Sequence, residues 1–384
     1  MKPLFLLSAL LATPVFALQG KIDSEGDWAY ACDNTGTCRI AGYQAEPEAG
    51  ADGYPNPVSV LFTRAAGADA AVTGEVALLT ANEKDVLPER VTLHINGKAQ
   101  GDIALNTMAN KDNSEGAFSD GRGQLSEAQS KALLAALLDD KADIRLTADK
   151  LSWQLSAVGA GTALLGADSF QQRTGKPSAL ASPGKNDGEV LQPQAKPVIK
   201  QAAVSQDAPK ILHSDEKEYA SLLTLLTQAD KTYSDNAPQA DEIYTCELFD
   251  KDHSFAGQLD KDTTAIALYP LDANNVLAVT LCSLGAYNAD MAYAWLSPDL
   301  QSVNGYMRIA GYGDVDYREN PSYQNGVIQG FAAMRGIGDC LWRGEWVWDG
   351  KAFVQASSMD TGLCRGFPGG AWDLPVLLSD VEKP

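Results

Sequence analysis

The chain has 384 residues, with 50 acidic and 30 basic side chains and a formal charge of −20. Nucleic-acid binding is excluded, because neutralising phosphates takes a surplus of Lys and Arg. No apolar run approaches the ~18–20 residues that a membrane span requires, and at ~100–200 residues per domain the length implies two or three domains.

Lys2, the apolar run 4–12, and Val15 and Ala17 around Phe16 form the pattern of a cleaved export signal. The mature protein is expected to begin at Leu18, in the periplasm or secreted; no Cys follows the cut, so no lipid anchor is expected. Residues 18–173 carry 13 basic and 22 acidic side chains, 174–210 carry 5 and 3, and 211–384 carry 11 and 25. Both halves are acidic and the middle is not. That middle is rich in Pro, Ala, Gln, Lys and Gly and has no aromatic residue, so it cannot bury enough surface to offset its ordering entropy. It reads as a semi-flexible linker between an N-terminal domain, 18–173, and a C-terminal domain, 211–384.

In the N-terminal half, residues 28–32 alternate into turn-forming residues 33–37 and emerge as a strand at 39–43. Strands are predicted at 58–63 and 74–80. Residues 91–95 alternate cleanly and stop at Asn96-Gly97, a two-residue turn, with 103–105 returning beside them. Ser126 and Gln129 have capping-box spacing, and Leu133, Leu134, Leu137 and Leu138 form the stripe of a helix. A strand follows at 144–148. A second helix is predicted over 156–172, where Gly159, Ala160 and Gly161 permit close packing.

The C-terminal half opens with a helix over 215–231, capped by Ser214, with Tyr219, Leu222, Leu223, Leu225 and Leu226 facing inward. Strands are predicted at 243–249, 264–269, 276–284, 291–297, 305–310 and 326–334. The hairpin 345–354 turns at Asp349-Gly350, which supplies the positive φ angles of a two-residue turn. The fold class is therefore α+β: two disulfide-braced domains, the first a sheet with two helices, the second mainly antiparallel β with one leading helix.

Six cysteines in an exported chain favour disulfides. Cys32–Cys38 is the local pair. Cys246, Cys282, Cys340 and Cys364 allow three pairings, of which Cys246–Cys282 and Cys340–Cys364 join neighbouring strand candidates. A zinc site lacks its C-x-x-C pair, and neither a metal nor a cofactor is expected.

Catalytic motifs are missing: no G-x-S-x-G, H-E-x-x-H, P-loop or dinucleotide fingerprint occurs. His94, His213 and His253 read as surface residues. Ser214-x-x-Lys217 and Ser234-Asp235-Asn236 imitate penicillin-recognising enzymes, but they stand too close together and no K-T-G follows. Asp250, Asp252, Ser254, Asp260 and Asp262 imitate a calcium loop, but Phe255 and Lys261 occupy its Gly and Glu positions.

The run 334–372 is the most distinctive. Arg335, Asp339, Arg343 and Arg365 are interspersed with Trp342, Trp346, Trp348 and Trp372. Aromatic faces beside Arg and Asp hydrogen-bonders suit sugar or peptide recognition, and these residues are the candidate binding site. The same tryptophans would also serve as a small disulfide-braced core.

Trp28-Ala29-Tyr30-Ala31-Cys32-Asp33-Asn34 with Cys38 and Gly42-Tyr43 resembles the opening of a bacterial exported family catalogued as a domain of unknown function, number eleven-seventy-six. Leu284-Gly285-Ala286-Tyr287-Asn288, Arg335-Gly336-Ile337-Gly338-Asp339-Cys340, Trp346-Val347-Trp348-Asp349-Gly350, and Cys364-Arg365-Gly366 through Trp372 resemble the rest of its signature. Leu341 stands where that signature has Gly, and Asp373-Leu374-Pro375 replaces its Trp-Pro. The N-terminal half also resembles the invasion-associated locus B proteins. Neither resemblance implies a reaction. The first expectation is a non-catalytic envelope binding protein, an inhibitor of a cationic lytic enzyme such as lysozyme, because acidity speeds association with basic envelope or host proteins. The alternative is a cell-wall glycan or peptidoglycan module using the Trp/Arg run. The third is a hydrolase using Asp339, Glu345, Asp349 or Asp360, which lack diagnostic spacing.

Overall fold

The computed structural model describes residues 18–46, 55–82, 85–108, 120–236, 245–249, 259–312 and 322–384. The expected export signal, residues 1–17, and His253 lie outside them. Chain order begins with β1 (Lys21–Glu25), β2 (Trp28–Cys32), β3 (Cys38–Tyr43), β4 (Val58–Arg64) and β5 (Val72–Leu79). The hairpin β6 (Arg90–Ile95) and β7 (Lys98–Ala104) follows, then β8 (Asn106–Met108), β9 (Asp120–Leu125) and α1 (Glu127–Ala136). The half closes with β10 (Ile144–Ala148), β11 (Leu151–Leu155) and α2 (Ala160–Phe170). One predicted sheet is in fact two: a seven-stranded sheet ordered β1-β2-β3-β4-β5-β9-β8 and a four-stranded sheet ordered β11-β10-β6-β7.

Local chemistry explains most of these elements. Asn96 and Gly97 take φ of 50° and 75°, so Ile95 pairs with Lys98 across the two-residue turn. Ser126 caps α1 with the reciprocal Gln129 contact of a capping box. The second helix starts at Ala160 rather than 156, because Trp153 and Leu155 alternate inward as part of β11, a strand absent from the sequence reading. β2 is buried along its whole length. Trp28 and Tyr30 belong to the core that contains α2, whose Gly166 lies against the Tyr30 ring where a Cβ would collide. On the other face Ala31 and Ala41 leave room for a covering layer from the far end of the chain.

The 174–210 segment is hydrogen-bonded to both halves, folded in turns over 175–186 and extended around 198–200. It leaves α2 through a buried knot in which Arg64 pairs with Asp168 at 2.7 Å and Asp168 accepts the Leu180 and Ala181 N–H groups. Leu191 N–H then donates to Gln171, and Gln194 N–H to Thr35. Farther on, β12 (Val198–Lys200) runs parallel to β23 (Asp380–Glu382), and Ala202 N–H donates to Trp348 O at 2.9 Å.

The C-terminal half continues with β13 (Lys210–Leu212), α3 (Lys217–Asn236), β14 (Ile266–Pro270), β15 (Val276–Leu284), β16 (Asn288–Leu296) and β17 (Val303–Tyr312). A second series follows: β18 (Tyr323–Gln324), β19 (Val327–Ala333), β20 (Leu341–Trp348), β21 (Phe353–Asp360) and β22 (Leu374–Leu378). Each series forms a five-stranded antiparallel sheet in sequence order. The sheets share a core of Val279, Met291, Tyr293, Trp295, Ile328, Trp348 and Phe353. Leu222, Leu223 and Leu226 of α3 cover the opposite face of the first sheet. Three readings are corrected. The helix begins at Lys217, after a turn in which His213 N–H donates to the Glu216 carboxylate, so Ser214 lies in that turn. Within 243–249 the described residues include a 3₁₀ turn, Glu247–Phe249, rather than a strand. Trp348 pairs with Phe353, so the hairpin loop has four residues, held by Lys351 and Ala352 N–H groups on the Asp349 carboxylate. All six cysteines are bonded, as Cys32–Cys38, Cys246–Cys282 and Cys340–Cys364. Among the described residues no helix is long and apolar enough to cross a membrane.

Candidate binding loop

The connection between β19 and β20, residues 334–340, is a closed and braced loop. Met334 N–H donates to Cys340 O at 3.1 Å and Gly338 N–H to Arg335 O at 3.0 Å, with Gly338 at φ 62°. The Arg335 guanidinium grips Asp339 (Nε to Oδ1, 2.7 Å) and donates to Cys364 O at 3.0 Å. Asp339 also accepts Gly366 N–H at 2.6 Å, and the Cys340–Cys364 bond ties the loop foot to the 361–370 segment. Burial alone would raise the Asp339 carboxyl, but the Arg335 fork and the Gly366 N–H outweigh it and hold it below the ordinary carboxylate range.

Beside this loop stands the β15–β16 turn. Asn288 exchanges two hydrogen bonds with the Ala333 backbone, at 2.8 and 2.7 Å, which fixes the turn against the end of β19. The Tyr287 ring then rests on Gly336, where a Cβ would strike it. Tyr287 is 56 % exposed, Met334 56 % and Ile337 68 %. Among the described large apolar side chains only Val86 and Val198 are also more than half exposed, so most of such surface concentrates on these two adjoining loops. The result is an apolar tip on a rigid frame, the arrangement that minimises ordering cost on binding a cleft.

The loop frame continues into the junction between the halves. Arg365 pairs with Asp27 at 3.1 Å and Glu46 at 3.3 Å, while its carbonyl accepts from Gln44 at 2.7 Å. Trp372 donates to Ser59 Oγ at 2.7 Å beneath the Arg122 guanidinium, and with Phe367 and Leu374 it covers Ala31, Ala41 and Leu61. These contacts make Arg365 and Trp372 parts of an interior.

The eight sequence-predicted residues do not converge on one surface. Arg335 and Asp339 brace the loop, and Arg365 and Trp372 build the junction. Trp348 is fully buried among Trp295 and Phe353, at ring distances of 6.2 and 5.1 Å. Arg343 projects from the exposed side of β20, opposite to its tryptophans. Trp342 and Trp346 are half-buried, 6.0 Å apart, over a floor of Gly330 and Gly344. Trp342 donates to Ser358 Oγ at 3.2 Å and faces Asp360 across the sheet. Burial pushes the Asp360 carboxyl up, partly offset by Gly362 and Thr361 N–H groups. Tyr287, Met334 and Ile337 are not among the sequence candidates: Tyr287 and Ile337 lie in glycine-bounded signature motifs and Met334 opens the Trp-rich run, but none of these patterns marks the three as one exposed surface.

The other motifs are dispersed. Ser214 and Ser234 stand at opposite ends of α3, whose 20 residues span roughly 30 Å. Asp260 accepts the Asp262 and Thr263 N–H groups of its own turn, and Asp250, Asp252 and Ser254 lie outside the described residues. Asp230 and Asp339 each approach a cysteine pair, but both pairs are disulfides with no thiolate to offer a metal. His213 Nδ1 lies 3.4 Å from Asp262, and His94 is half-buried on β6.

A family model described as a protein of unknown function, DUF1176, matches residues 23–378, and the chain belongs to that family. No curated protein and no solved structure matches it.

Proposed function

We propose that this DUF1176 member is an exported, non-catalytic binding protein of the bacterial envelope that inserts Ile337, Met334 and Tyr287 into a cleft on a cationic protein, as an inhibitor of a basic lytic enzyme such as lysozyme. The supporting observation is the braced apolar tip. Rigid apolar anchors in a desolvated pocket carry most of the free energy of protein interfaces. The chain's charge of −20 accelerates encounter with a basic partner. The carboxylates proposed for hydrolysis are scattered. Asp339 is held by Arg335, Asp349 stabilises a turn, and Glu345 and Asp360 project from opposite faces of the second sheet.

The test uses the mature oxidised protein and lysozyme turnover of peptidoglycan. Inhibition is expected to weaken at least ~10-fold in Ile337→Asp and to fade as salt rises, with Trp346→Ala unchanged. Full inhibition by Ile337→Asp, or no inhibition of any basic envelope enzyme, overturns the reading. A second reading, glycan stacking on Trp342 and Trp346, draws on their half-exposed rings beside Ser358 and Asp360; it predicts salt-independent binding lost in Trp346→Ala.

A further inference from the structure

A concavity lies on the face of the first sheet that α3 covers, away from Trp342 and Trp346. α3 and the first half of β17 enclose a groove of about 600 Å³. Leu225, Ala229 and Tyr233 recur every fourth residue along α3, forming an apolar stripe in its wall. Gln228, Thr232 and Asn236 form a parallel polar stripe. The facing wall is residues 303–306 of β17, with Tyr306 at its end. Among the described residues no charged side chain lines the groove, in a chain whose formal charge is −20.

The aromatic floor is fixed from beneath. Asp230, only 2 % exposed, accepts the Tyr306 hydroxyl at 2.9 Å and Cys246 N–H at 2.8 Å, with the Arg308 guanidinium at 3.5 Å. Arg308 sits 5.2 Å from the Tyr233 ring, which meets the Tyr306 ring edge-on at 5.6 Å. The Cys246–Cys282 bond anchors this group to β15. A buried carboxylate is costly unless paired, and here its partners hold two tyrosines in place at a groove.

We infer that this groove is a binding site for a neutral oligosaccharide. A pyranose ring offers an apolar C–H face to a tyrosine and a ring of hydroxyls to amides and alcohols. Among the described residues an anionic sugar would meet no cation in the lining, and a cationic ligand would meet no accessible carboxylate, because that of Asp230 is occupied below. A proline-rich peptide suits tyrosines but lacks the donors that Gln228, Thr232 and Asn236 oxygens accept. The volume falls in the range of small-molecule sites, about 300–1,000 Å³.

The mature oxidised chain is titrated calorimetrically with chitotetraose, cellotetraose and maltotetraose, and with a proline-rich decapeptide. At least one tetrasaccharide is expected to bind with Kd about 0.1–1 mM, unchanged by salt. Tyr233→Ala weakens it at least ~10-fold, Tyr233→Trp retains it, and Thr232→Val weakens it without touching the aromatic floor. Trp346→Ala leaves it unchanged, which separates this groove from the Trp342–Trp346 face, and Ile337→Asp leaves it unchanged, which separates it from the loop. The proposal is overturned if none of the three sugars binds at ~10 mM, if only the peptide binds, or if Tyr233→Ala binds normally.

Discussion

Replacing Trp348 with Ala tests whether the Trp-rich run is interior or surface. Its side chain is 0 % exposed and is enclosed by Trp295, Phe353 and the inter-sheet core. Removing so large a ring from a site walled by two sheets leaves a cavity that cannot close, at a cost of ~3–5 kcal/mol. With a guanidinium slope of ~4 kcal/mol/M, the unfolding midpoint falls by roughly 1 M. Trp348→Phe refines the argument. The buried Trp348 Nε1 has no hydrogen-bond partner among the described residues, so the change loses packing but no bond, and ~1–2 kcal/mol is expected. Trp372→Phe costs more, because it also breaks the 2.7 Å bond to Ser59 and weakens the Arg122 contact. Far-UV circular dichroism against guanidinium measures all three. A Trp348→Ala midpoint within ~0.2 M of the parent, or Phe as damaging as Ala, refutes the burial argument.

Arg365→Ala strands Asp27 at the junction and is expected to cost ~3 kcal/mol, part of it recovered by adding Asp27→Asn; a denaturation cycle over the four proteins measures this. Asp339 is held below its ordinary range, so its contribution is complete above an unfolded pKa of ~3.9 and fades as pH falls towards the folded value; Arg335→Ala flattens the acid limb of a stability profile. Asp360 is raised, so the sign reverses: the folded state loses stability as pH rises from ~3.9 to the folded value, and Asp360→Asn stabilises the protein at pH ~7 but not at pH ~3. Trypsin cuts first at Lys185, in the exposed 185–189 stretch, and the two fragments co-elute in gel filtration because Trp372 and Arg365 still join the halves; separation of the fragments contradicts that.

The strands that sequence located best are those bounded by clear turns. Residues 276–284 match β15 from end to end as an apolar run buried on both faces, and 144–148 match β10 by alternation, because apolar pattern and flanking turns act locally. β1 escaped for the opposite reason: Lys21–Glu25 is exposed throughout and is a strand only because it pairs with β2. The Asp349-Gly350 turn was legible as a turn but not in length, since the Asp349 carboxylate captures two further N–H groups and enlarges it.

The candidate site shows a sharper limit. The tryptophans of 334–372 stood out because the type is rare, yet rarity does not distinguish a ligand platform from a plug. Trp348 and Trp372 became plugs through partners over 50 and 300 residues away, Trp295 and Ser59, which no local pattern announces. Tyr287 and Ile337 lie in signature motifs, but no local pattern there announces an exposed surface. They form a surface because Asn288 bonds Ala333 across 45 residues and Arg335 bonds Asp339 across four, and only the first of these bonds is non-local. Cutting it discriminates between local and tertiary origin for the tip. Asn288→Ala removes both bonds to Ala333 and should release Tyr287 from Gly336 while the Cys340–Cys364 frame keeps Ile337 in place. Hydrogen exchange is then expected to rise at least ~10-fold in residues 285–288 and to stay constant in 336–340. Equal loosening of both segments would mean that the tip is ordered by Tyr287 packing rather than by the Arg335–Asp339 brace.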